Sequence, residues 1–348
     1  MKAQVLYGIN DLRYESDYKN PVLKDNEVLV KVKACGICGS DIGRVLKSGT
    51  YHFPTIIGHE FSGEVVGLAK EEQKKWLNKR VSVFPLIPCR KCKSCLNEDY
   101  QLCENYNYLG SRCDGGFAEF VAVPEWNLLE IPDEISFEEA AMFEPAAVAV
   151  HALRKAGNIS GKHIAITGTG TIASILIQVC ISQGAEKVYV LGRNKAKSAY
   201  LKNLFPQAVF LNTEDSDLDA QISDYVKNGF DLAIEGTGNS RMMELLFNFS
   251  ARNATIVSMG NPSDSISFTQ KGYWNILRRE LTLKGTWNSS YGISGKNDWK
   301  EVLELLLNKK LNLQSLITHR LQLKELLDGI HIMNDKKELY NKIMVINE

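Results

Sequence analysis

Residues 163–173, HIAITGTGTIA, decide the fold of this chain. The first five are mostly apolar and rich in β-branched side chains, which predicts a buried strand over His163–Thr167. The remaining six follow the pattern G-x-G-x-x-A at the start of a predicted helix, Thr171–Ser182. Between a strand and a helix, this pattern is typical of a loop that holds the pyrophosphate of a dinucleotide. The stretch therefore predicts a nucleotide-binding α/β domain.

The small residues of this motif have separate tasks. Gly168 makes the tight turn, Gly170 lets the backbone approach the pyrophosphate, and Ala173 permits close packing of the helix against the strand. We expect Thr171 and Ile172, at the helix N-terminus that faces the phosphates, to contribute to cofactor binding. The apolar run around the motif is explained by a buried strand and a core helix, so we expect no membrane span there.

Strands and helices alternate on the C-terminal side of the motif. Further strands are predicted at 187–191, 230–235 and 254–259, and a further helix at 195–203. Such alternation is typical of a parallel sheet with helices on both faces. We therefore predict a doubly wound Rossmann domain over 151–285.

The chain on either side of this domain has a different pattern. Short strand-like runs between glycine and proline dominate the first part, and Glu27–Lys33 (EVLVKVK) alternates as a half-buried strand should. An alanine-rich helix is predicted at Phe137–Ala156. We predict a mainly-β domain over 1–150, and we expect the C-terminal segment 286–348, with its last strand at Ile343–Ile346, to return to it.

The composition limits the classes of protein to which this chain can belong. The chain has 348 residues, 44% apolar and 24% charged, which is typical of a globular protein of about two domains. Its net charge is 41 − 41 = 0, so nothing favours nucleic acid or an anionic membrane as a partner. The N-terminal apolar stretch is too short for a signal peptide, and we expect a cytoplasmic protein. Eight cysteines in that compartment indicate metal binding or catalysis before disulfides.

The spacing Cys89-x2-Cys92-x2-Cys95-x7-Cys103 is the strongest local signal in the sequence. A structural zinc ion takes four ligands in a tetrahedron, and thiolates at this spacing supply neighbouring vertices without strain. A closed site of this kind has no position for a substrate, so its zinc holds a loop and does not catalyse. Unligated or disulfide-bonded cysteines and an iron–sulfur cluster are the alternatives.

A second set of candidate metal ligands comes from distant segments: Cys38, His59, Glu60 and Glu144. A catalytic zinc takes about three protein ligands and leaves one position for water or substrate. Taken alone, a residue such as Cys38 is more often a core cysteine, and one such as His59 is more often a capping histidine. Together with the four-cysteine spacing, the set indicates an open metal site.

Two further motifs carry a family resemblance. Residues 34–41, ACGICGSD, and 58–63, GHEFSG, together with the four-cysteine segment and the glycine motif, closely resemble the zinc-dependent medium-chain dehydrogenase family, and its polyol branch most. The resemblance covers essentially the whole chain. It implies a GroES-like catalytic domain over 1–150, a structural zinc lobe at about 85–113, a Rossmann cofactor domain, and two zinc ions per subunit.

The resemblance also implies roles for single residues. It implies that Cys38, His59 and Glu144 bind the catalytic zinc, with Glu60 as an alternate or neighbouring group, and that Ser40 relays the alcohol proton. The implied reaction is the reversible oxidation of a secondary alcohol to a ketone, with hydride transfer to a nicotinamide cofactor.

The end of the second predicted strand bears on the choice of cofactor. NAD-binding folds usually carry an acid about 20 residues after the glycine motif, which binds the ribose hydroxyl. Here Gly192 takes that position, and Arg193, helped by Lys195 or Lys197, can pair with a 2′-phosphate. We predict that NADP(H) is preferred over NAD(H). A solvated arginine on an NAD-using enzyme is the alternative.

The substrate is expected to be a small polyol or polyol phosphate. Arg112, assisted by Arg44 or Lys47, is the candidate for binding a sugar phosphate, and the alternative for Arg112 is a solvated loop residue. Sorbitol-, arabitol- or threonine-type activity is possible within the same family. The rivals from other classes are a non-catalytic, zinc-stabilised NADPH-binding protein and, opposed by the neutral charge, a zinc-ribbon nucleic-acid binder.

The resemblance further implies a homodimer or homotetramer. We expect the strand at Ala254–Met259, with the segment that follows it to Leu283, to supply a contact at the edge of the sheet. A monomer would have the same composition.

Overall fold

The structure, a computed structural model, describes residues 1–292, 295 and 297–347. Its strands in chain order are β1 Ala3–Gly8, β2 Asp11–Glu15, β3 Glu27–Gly36, β4 Thr55–Ile56, β5 Glu60–Leu68, β6 Arg80–Val83, β7 Leu86–Ile87, β8 Asn107–Tyr108, β9 Phe120–Pro124, β10 Leu128–Glu130, β11 His163–Thr167, β12 Lys187–Gly192, β13 Val209–Asn212, β14 Phe230–Glu235, β15 Ser250–Ser258, β16 Thr282–Gly285, β17 Ile317–Gln322 and β18 Lys342–Ile346. Its helices are α1 Gly39–Gly43, α2 Lys93–Leu96, α3 Phe137–Ala141, α4 Phe143–Ala156, α5 Thr171–Ser182, α6 Lys195–Leu204, α7 Leu218–Tyr225, α8 Ser240–Phe249, α9 Gln270–Arg278, α10 Asp298–Leu307 and α11 Leu326–Asp335.

The chain divides into two compact units. The first comprises Met1–Ala147, Ser289–Asn308 and Asn312–Glu348. The second comprises Val148–Asn288 and Lys309–Leu311. Helix α4 begins in the first unit and ends in the second.

The first unit is built on a seven-stranded sheet in the order β10-β6-β5-β3-β18-β17, in which β9 also pairs with β3. Strand β3 shows the alternation that its sequence predicts, because Val28, Val30 and Val32 are fully buried. It runs to Gly36, three residues beyond the predicted end, since β5 and β18 both pair with its last residues. The candidate ligand Cys38 follows the end of β3, and His59 and Glu60 lie at the start of β5.

The second unit is a parallel sheet of six strands in the order β13-β12-β11-β14-β15-β16. Strand β11 pairs with β12 on one side and β14 on the other, so the order reverses at the strand that precedes the glycine motif. This arrangement confirms the predicted doubly wound α/β fold. Among the described residues, no helix is both long and apolar enough to cross a membrane.

Two details of the predicted elements are wrong. The segment Phe137–Ala156 forms two helices, α3 and α4, because the backbone leaves the helical conformation at Met142. The strand at Ala254–Met259 does not lie at a sheet edge, since β15 pairs with both β14 and β16. The edge strand on this side of the sheet is β16, whose four residues are all exposed.

Candidate active site

The four cysteines of the predicted structural zinc site lie together on one loop. Their sulfur atoms lie within 4.8 Å of one another: Cys89, Cys92, Cys95 and Cys103. The Cys89–Cys95 and Cys92–Cys103 sulfur pairs are 3.9 and 4.0 Å apart. Thiolates of a tetrahedral zinc site lie about 3.8 Å apart, whereas a disulfide bond measures about 2.04 Å. The four thiols therefore fit zinc, and all eight cysteines of the chain are free.

Backbone groups prepare this loop for a cation. The N–H groups of Lys91 and Cys92 donate to the sulfur of Cys89 and lower the pKa of its thiol to about 6. Burial raises the pKa of Cys95 to about 12, so this thiol needs a positive charge beside it in order to ionise. A bound metal ion provides that charge.

A second cluster joins three of the four candidate ligands of the open site. The ligand atoms of Cys38, His59 and Glu60 lie within 4.8 Å of one another. Cys38 lies directly before α1, while His59 and Glu60 lie at the start of β5. Strands β3 and β5 pair so that Gly36 faces Glu60, and a Cβ at residue 36 would overlap the Glu60 carboxylate. Glycine at position 36 thus permits the close approach that assembles the cluster.

Asp41 holds both Cys38 and His59 in place. It is fully buried, and its carboxylate accepts the backbone N–H of Cys38 at 3.0 Å and lies 3.6 Å from Nδ1 of His59. Burial alone would raise the pKa of Asp41, but His59 and Arg44 outweigh it and bring the pKa to about 2. The sequence analysis missed this residue. Its position three residues after Cys38, where acids cap helices, is the signal that could have found it.

The same acid acts on the imidazole. Burial lowers the pKa of His59, but Asp41 and Cys38 raise it well above its usual value. An environment that favours a proton on an imidazole also favours a divalent cation beside it. The mixed sulfur, nitrogen and oxygen donor set suits zinc.

Lys342 reaches the cluster from β18. Its ammonium is only 3% exposed, donates to the Glu60 carboxylate, and donates to the carbonyl of Ile37 at 3.1 Å. Burial lowers the pKa of Lys342, whereas Glu60 and Cys38 raise it, with a net rise. No local pattern marks this lysine, because it joins the site only through the pairing of β18 with β3.

Glu144 lies at the start of α4 and is not part of the three-residue cluster. It is 7% exposed and accepts the hydroxyl of Tyr108 at 3.2 Å. Burial raises the pKa of Glu144 to about 7, with Glu60 adding to the rise and His59 opposing it. The ring of Tyr108 lies 5.8 Å from that of His59, so the carboxylate stands beside the cluster.

The polar residues around α1 form one network. Ser40 is exposed, and its hydroxyl accepts a hydrogen bond from Arg44 Nη1 at 2.9 Å. The same nitrogen bonds Asp41 at 2.7 Å. Arg44 is therefore engaged beside the metal cluster, while Lys47 is exposed on the following turn.

Arg112 is held between two aromatic rings. Its guanidinium carbon lies 4.1 Å from the ring centre of Tyr51 and 4.3 Å from that of Tyr106. Its Nη2 donates to the Tyr51 hydroxyl at 3.2 Å, and no described carboxylate lies within ion-pair distance. The ring of Tyr106 in turn contacts that of Tyr108, 6.2 Å away, so aromatic contacts connect Arg112 with His59.

The second unit carries the predicted glycine loop. Gly168 has a φ of +97°, which glycine adopts without strain, and its N–H bonds the carbonyl of Leu191 at 2.8 Å. Gly170 directly precedes α5, and a Cβ there would meet no protein atom within 4 Å. The space beside Gly170 is thus open at the N-terminus of α5, where a pyrophosphate binds. Thr171 and Ile172 begin that helix.

Gly192 ends β12 with Thr169 beside it. A Cβ at residue 192 would overlap the methyl group of Thr169, so the loop is shaped for glycine. Arg193 is exposed, Asn194 caps α6 by accepting the N–H of Lys197 at 3.0 Å, and Lys195 lies 3.7 Å from Asp215.

Comparison with known proteins agrees with this architecture. The family model "Alcohol dehydrogenase GroES-like domain" matches residues 24–133, and "Zinc-binding dehydrogenase" matches 171–308. The chain is 32% identical, over 85% of each chain, to galactitol 1-phosphate 5-dehydrogenase of Escherichia coli K12. A crystal structure of galactitol-1-phosphate dehydrogenase from Escherichia coli superimposes with a TM-score of 0.90 at 29% identity over 100% of both chains. A zinc-binding dehydrogenase from Sinorhizobium meliloti 1021 bound to NADP superimposes with a TM-score of 0.89 at 26% identity over 99% of both.

The chain belongs to the zinc-binding dehydrogenases, with a GroES-like part and a Rossmann-like part. The family resemblance and the fold predicted from the sequence are confirmed. The chain is an NAD(P)-dependent oxidoreductase of the alcohol and polyol dehydrogenase type, which excludes the non-catalytic alternative.

Proposed function

We propose that this enzyme interconverts a secondary alcohol of a polyol phosphate, with galactitol 1-phosphate as the best candidate, and the corresponding ketose. The observation that carries the proposal is the buried cluster of Cys38, His59 and Glu60, with Glu144 beside it. Cys38, His59 and one of the two glutamates would hold a zinc ion, which would supply a Lewis acid for the alcohol oxygen, and the glycine loop would hold the dinucleotide, which would supply the hydride acceptor.

Two carboxylates can complete the donor set of Cys38 and His59. Glu60 lies nearer, but its charge is already balanced by the Lys342 ammonium. Glu144 accepts a hydrogen bond from the neutral Tyr108 hydroxyl and forms no ion pair with any described residue, and burial raises its pKa more than the charges of His59 and Lys342 lower it. A divalent cation therefore gains more from Glu144. We assign Glu144 as the third ligand and Glu60 as its alternate.

Ser40 is the proposed acceptor of the alcohol proton. Its hydroxyl oxygen is oriented by Arg44 and retains a second lone pair for that proton. The hydroxyl releases its own proton as it takes up that of the alcohol, and because Ser40 is exposed, the released proton can pass to solvent. The alcohol thus loses a hydride to the cofactor and a proton to this hydroxyl, and it becomes a ketone.

Arg112 is the proposed binding group for the substrate phosphate. The tyrosine rings on both sides restrict the guanidinium, and no described carboxylate neutralises it, so it can form charge-assisted bonds to an anion. Arg112→Gln should raise KM for a phosphorylated polyol about tenfold or more and leave KM for the free polyol within about twofold. Lys310→Gln removes an equal charge from an exposed position with no assigned role and should change neither value. Equal KM changes for both substrates would contradict the assignment.

The preferred cofactor is proposed to be NADP(H). Gly192 offers no acid to the ribose hydroxyls, and the exposed Arg193 is a donor suited to a 2′-phosphate.

The active form is proposed to be a homodimer or homotetramer formed through the face at β16. All four residues of this edge strand are exposed, the apolar Leu283 among them, and further apolar side chains are exposed on the preceding helix α9 and just after the strand: Tyr273, Trp274, Leu277 and Trp287. An unpaired strand edge with an apolar surround is a typical contact between copies of a chain. Sedimentation should give a mass near twice or four times 39.0 kDa, and a species near 39.0 kDa at micromolar concentration would contradict this assignment.

A substrate panel with metal analysis tests the proposal. Galactitol 1-phosphate, galactitol, sorbitol, arabitol and L-threonine are each assayed with NADP and NAD. We expect two zinc ions per chain, and the highest kcat/KM with a polyol phosphate and NADP. A highest kcat/KM for L-threonine, or one zinc ion per fully active chain, would contradict the proposal.

A further inference from the structure

Glu235 is a buried acid at the carboxyl edge of the parallel sheet. It ends β14, is 1% exposed, and lies beside Thr167, the last residue of β11 and the residue before the glycine loop. The order of strands reverses at β11, and in doubly wound folds the ligand binds in the crevice at that point. Glu235 therefore lies beneath the predicted cofactor crevice. The sequence analysis assigned it no role.

The Glu235 side chain connects the loops that follow these two strands. Its Oε1 accepts the hydroxyl of Thr167 at 3.2 Å, the N–H of Thr237 at 2.7 Å and the N–H of Gly238 at 3.1 Å. The hydroxyl of Thr237 donates to the same oxygen at 2.5 Å. Thr167 completes the connection, because its hydroxyl accepts the N–H of Gly236 at 3.0 Å. One carboxylate and one hydroxyl thus hold the β11 and β14 loops together.

A third loop depends on the same residue. The backbone carbonyl of Glu235 accepts the N–H groups of Met259 and Gly260, at 2.9 and 3.0 Å, just after β15. The methyl group of Thr237 lies 3.6 Å from where a Cβ of Gly168 would be, so the β14 loop packs against the glycine turn. Displacement of the β14 loop would therefore disturb the residues that approach the pyrophosphate.

The charge of Glu235 has the wrong sign for binding a pyrophosphate directly. A buried anion near phosphates opposes their binding. Any favourable contribution of Glu235 to cofactor binding must therefore come from the geometry that its hydrogen bonds impose. We propose that Glu235 and Thr167 are positioning residues that fix the β11 and β14 loops in the spacing that the dinucleotide requires. This inference rests on the proposed cofactor site, because it concerns how that site is shaped.

The decisive comparison is between Thr167→Val and Thr167→Ser in the full-length, zinc-loaded protein. Valine matches threonine in shape but has no hydroxyl, whereas serine keeps the hydroxyl that joins Glu235 to Gly236. Titration of NADPH, followed by its fluorescence, should give a Kd about tenfold higher for Thr167→Val and within about twofold of wild type for Thr167→Ser. Glu235→Gln replaces one acceptor oxygen by an NH2 group, which cannot accept the N–H that Gly238 donates to Oε2 at 3.1 Å, and should raise Kd at least as much.

A change in NADPH binding alone, with other properties kept, distinguishes a positioning role from a merely structural one. The KM for the alcohol and the zinc content should stay unchanged in both Thr167 variants, which a general loss of folding would not allow. If Thr167→Val does not fold, Thr237→Val tests the same carboxylate from the exposed loop, with a Kd rise of about threefold expected. Equal Kd values for the valine and serine variants would overturn the inference. Absence of NADPH and NADH binding by wild type would instead overturn the proposed cofactor site.

Discussion

The two candidate zinc sites are built in opposite ways. The four thiols of the cysteine lobe lie on one loop, and Cys89 and Cys103 are only 14 residues apart. The second site takes its groups from β5, α4, β18 and the start of α1, and the Lys342–Glu60 pair spans 282 residues. One site is local and all sulfur, whereas the other is assembled by the fold and uses mixed donors.

This difference distinguishes a metal ion that stabilises the fold from a metal ion that takes part in the reaction. A loop without a core of its own depends on its metal for structure, so metal binding contributes folding free energy directly. The assembled site is held by paired strands and by the buried Asp41 and Lys342. Loss of a ligand should therefore affect stability at the first site and turnover at the second.

The largest effect is expected from Cys38→Ser or His59→Ala. Either change removes a ligand of the proposed catalytic zinc, and Lewis-acid stabilisation of several kcal/mol corresponds to a loss of turnover of about a thousandfold or more. The melting temperature should change by only about 2–4 °C, because β3 and β5 remain paired. Steady-state kinetics and thermal unfolding provide the two readouts. Normal turnover in a folded Cys38→Ser protein would refute the assignment of this site.

The reverse result is expected for Cys92→Ser. Losing one of four thiolates should release the structural metal, lower the melting temperature by about 10 °C or more and reduce the soluble yield. Cys113→Ser, outside both clusters, is the matched control and should retain two zinc ions. A Cys92→Ser protein with wild-type stability and a single zinc ion would show that the lobe folds without its metal.

A finer comparison concerns the two carboxylates beside Cys38. We expect Glu144→Gln to weaken zinc binding about a hundredfold, whereas Glu60→Gln, whose charge is balanced by Lys342, should weaken it about tenfold. Competition with a chelator, read by metal content, measures both values. The opposite order would make Glu60 the third ligand and Glu144 the neighbouring group.

The smallest effect is expected for the preference between NADP and NAD. This preference tests a second local sequence pattern, Gly192 followed by Arg193. Gly192→Asp with Arg193→Ile should shift the NADP/NAD ratio of kcat/KM about tenfold toward NAD. Because Thr169 occupies the space beside residue 192, Thr169→Ala is added to make room for the new side chain. Thr169→Ala alone serves as the control. A wild-type preference for NAD, or an unchanged ratio in the triple variant, would contradict the interpretation of Gly192 and Arg193.

Sequence predicted those features whose cause is local. Strand β11 was predicted with its observed ends, and so was the glycine turn, because alternation, glycine and the helix start all act within a few residues. The spacing of Cys38 and His59 does not by itself group them, since β3 and β5 bring them together, and their grouping rested on the neighbouring four-cysteine spacing and on the family motifs. Lys342 and Glu235 were missed because only strand pairing decides what lies beside them. The break at Met142 was missed although Pro145 is a local signal for it, because a proline has no N–H to donate to the carbonyl four residues earlier and is tolerated only in the first turn of a helix.

The pairing of β18 with β3 also sets an order of events during synthesis. The four thiols of the lobe are all present once Cys103 has been made, so the lobe can take up its metal early. Glu60 waits for a further 282 residues before its lysine partner exists, which at about 5–20 residues per second is roughly 14–56 s. During that interval Glu60 lacks the ammonium that neutralises it in the finished fold, and the strand that delivers Lys342 is still to be made. The nascent chain should therefore complete the proposed structural site well before the proposed reactive one.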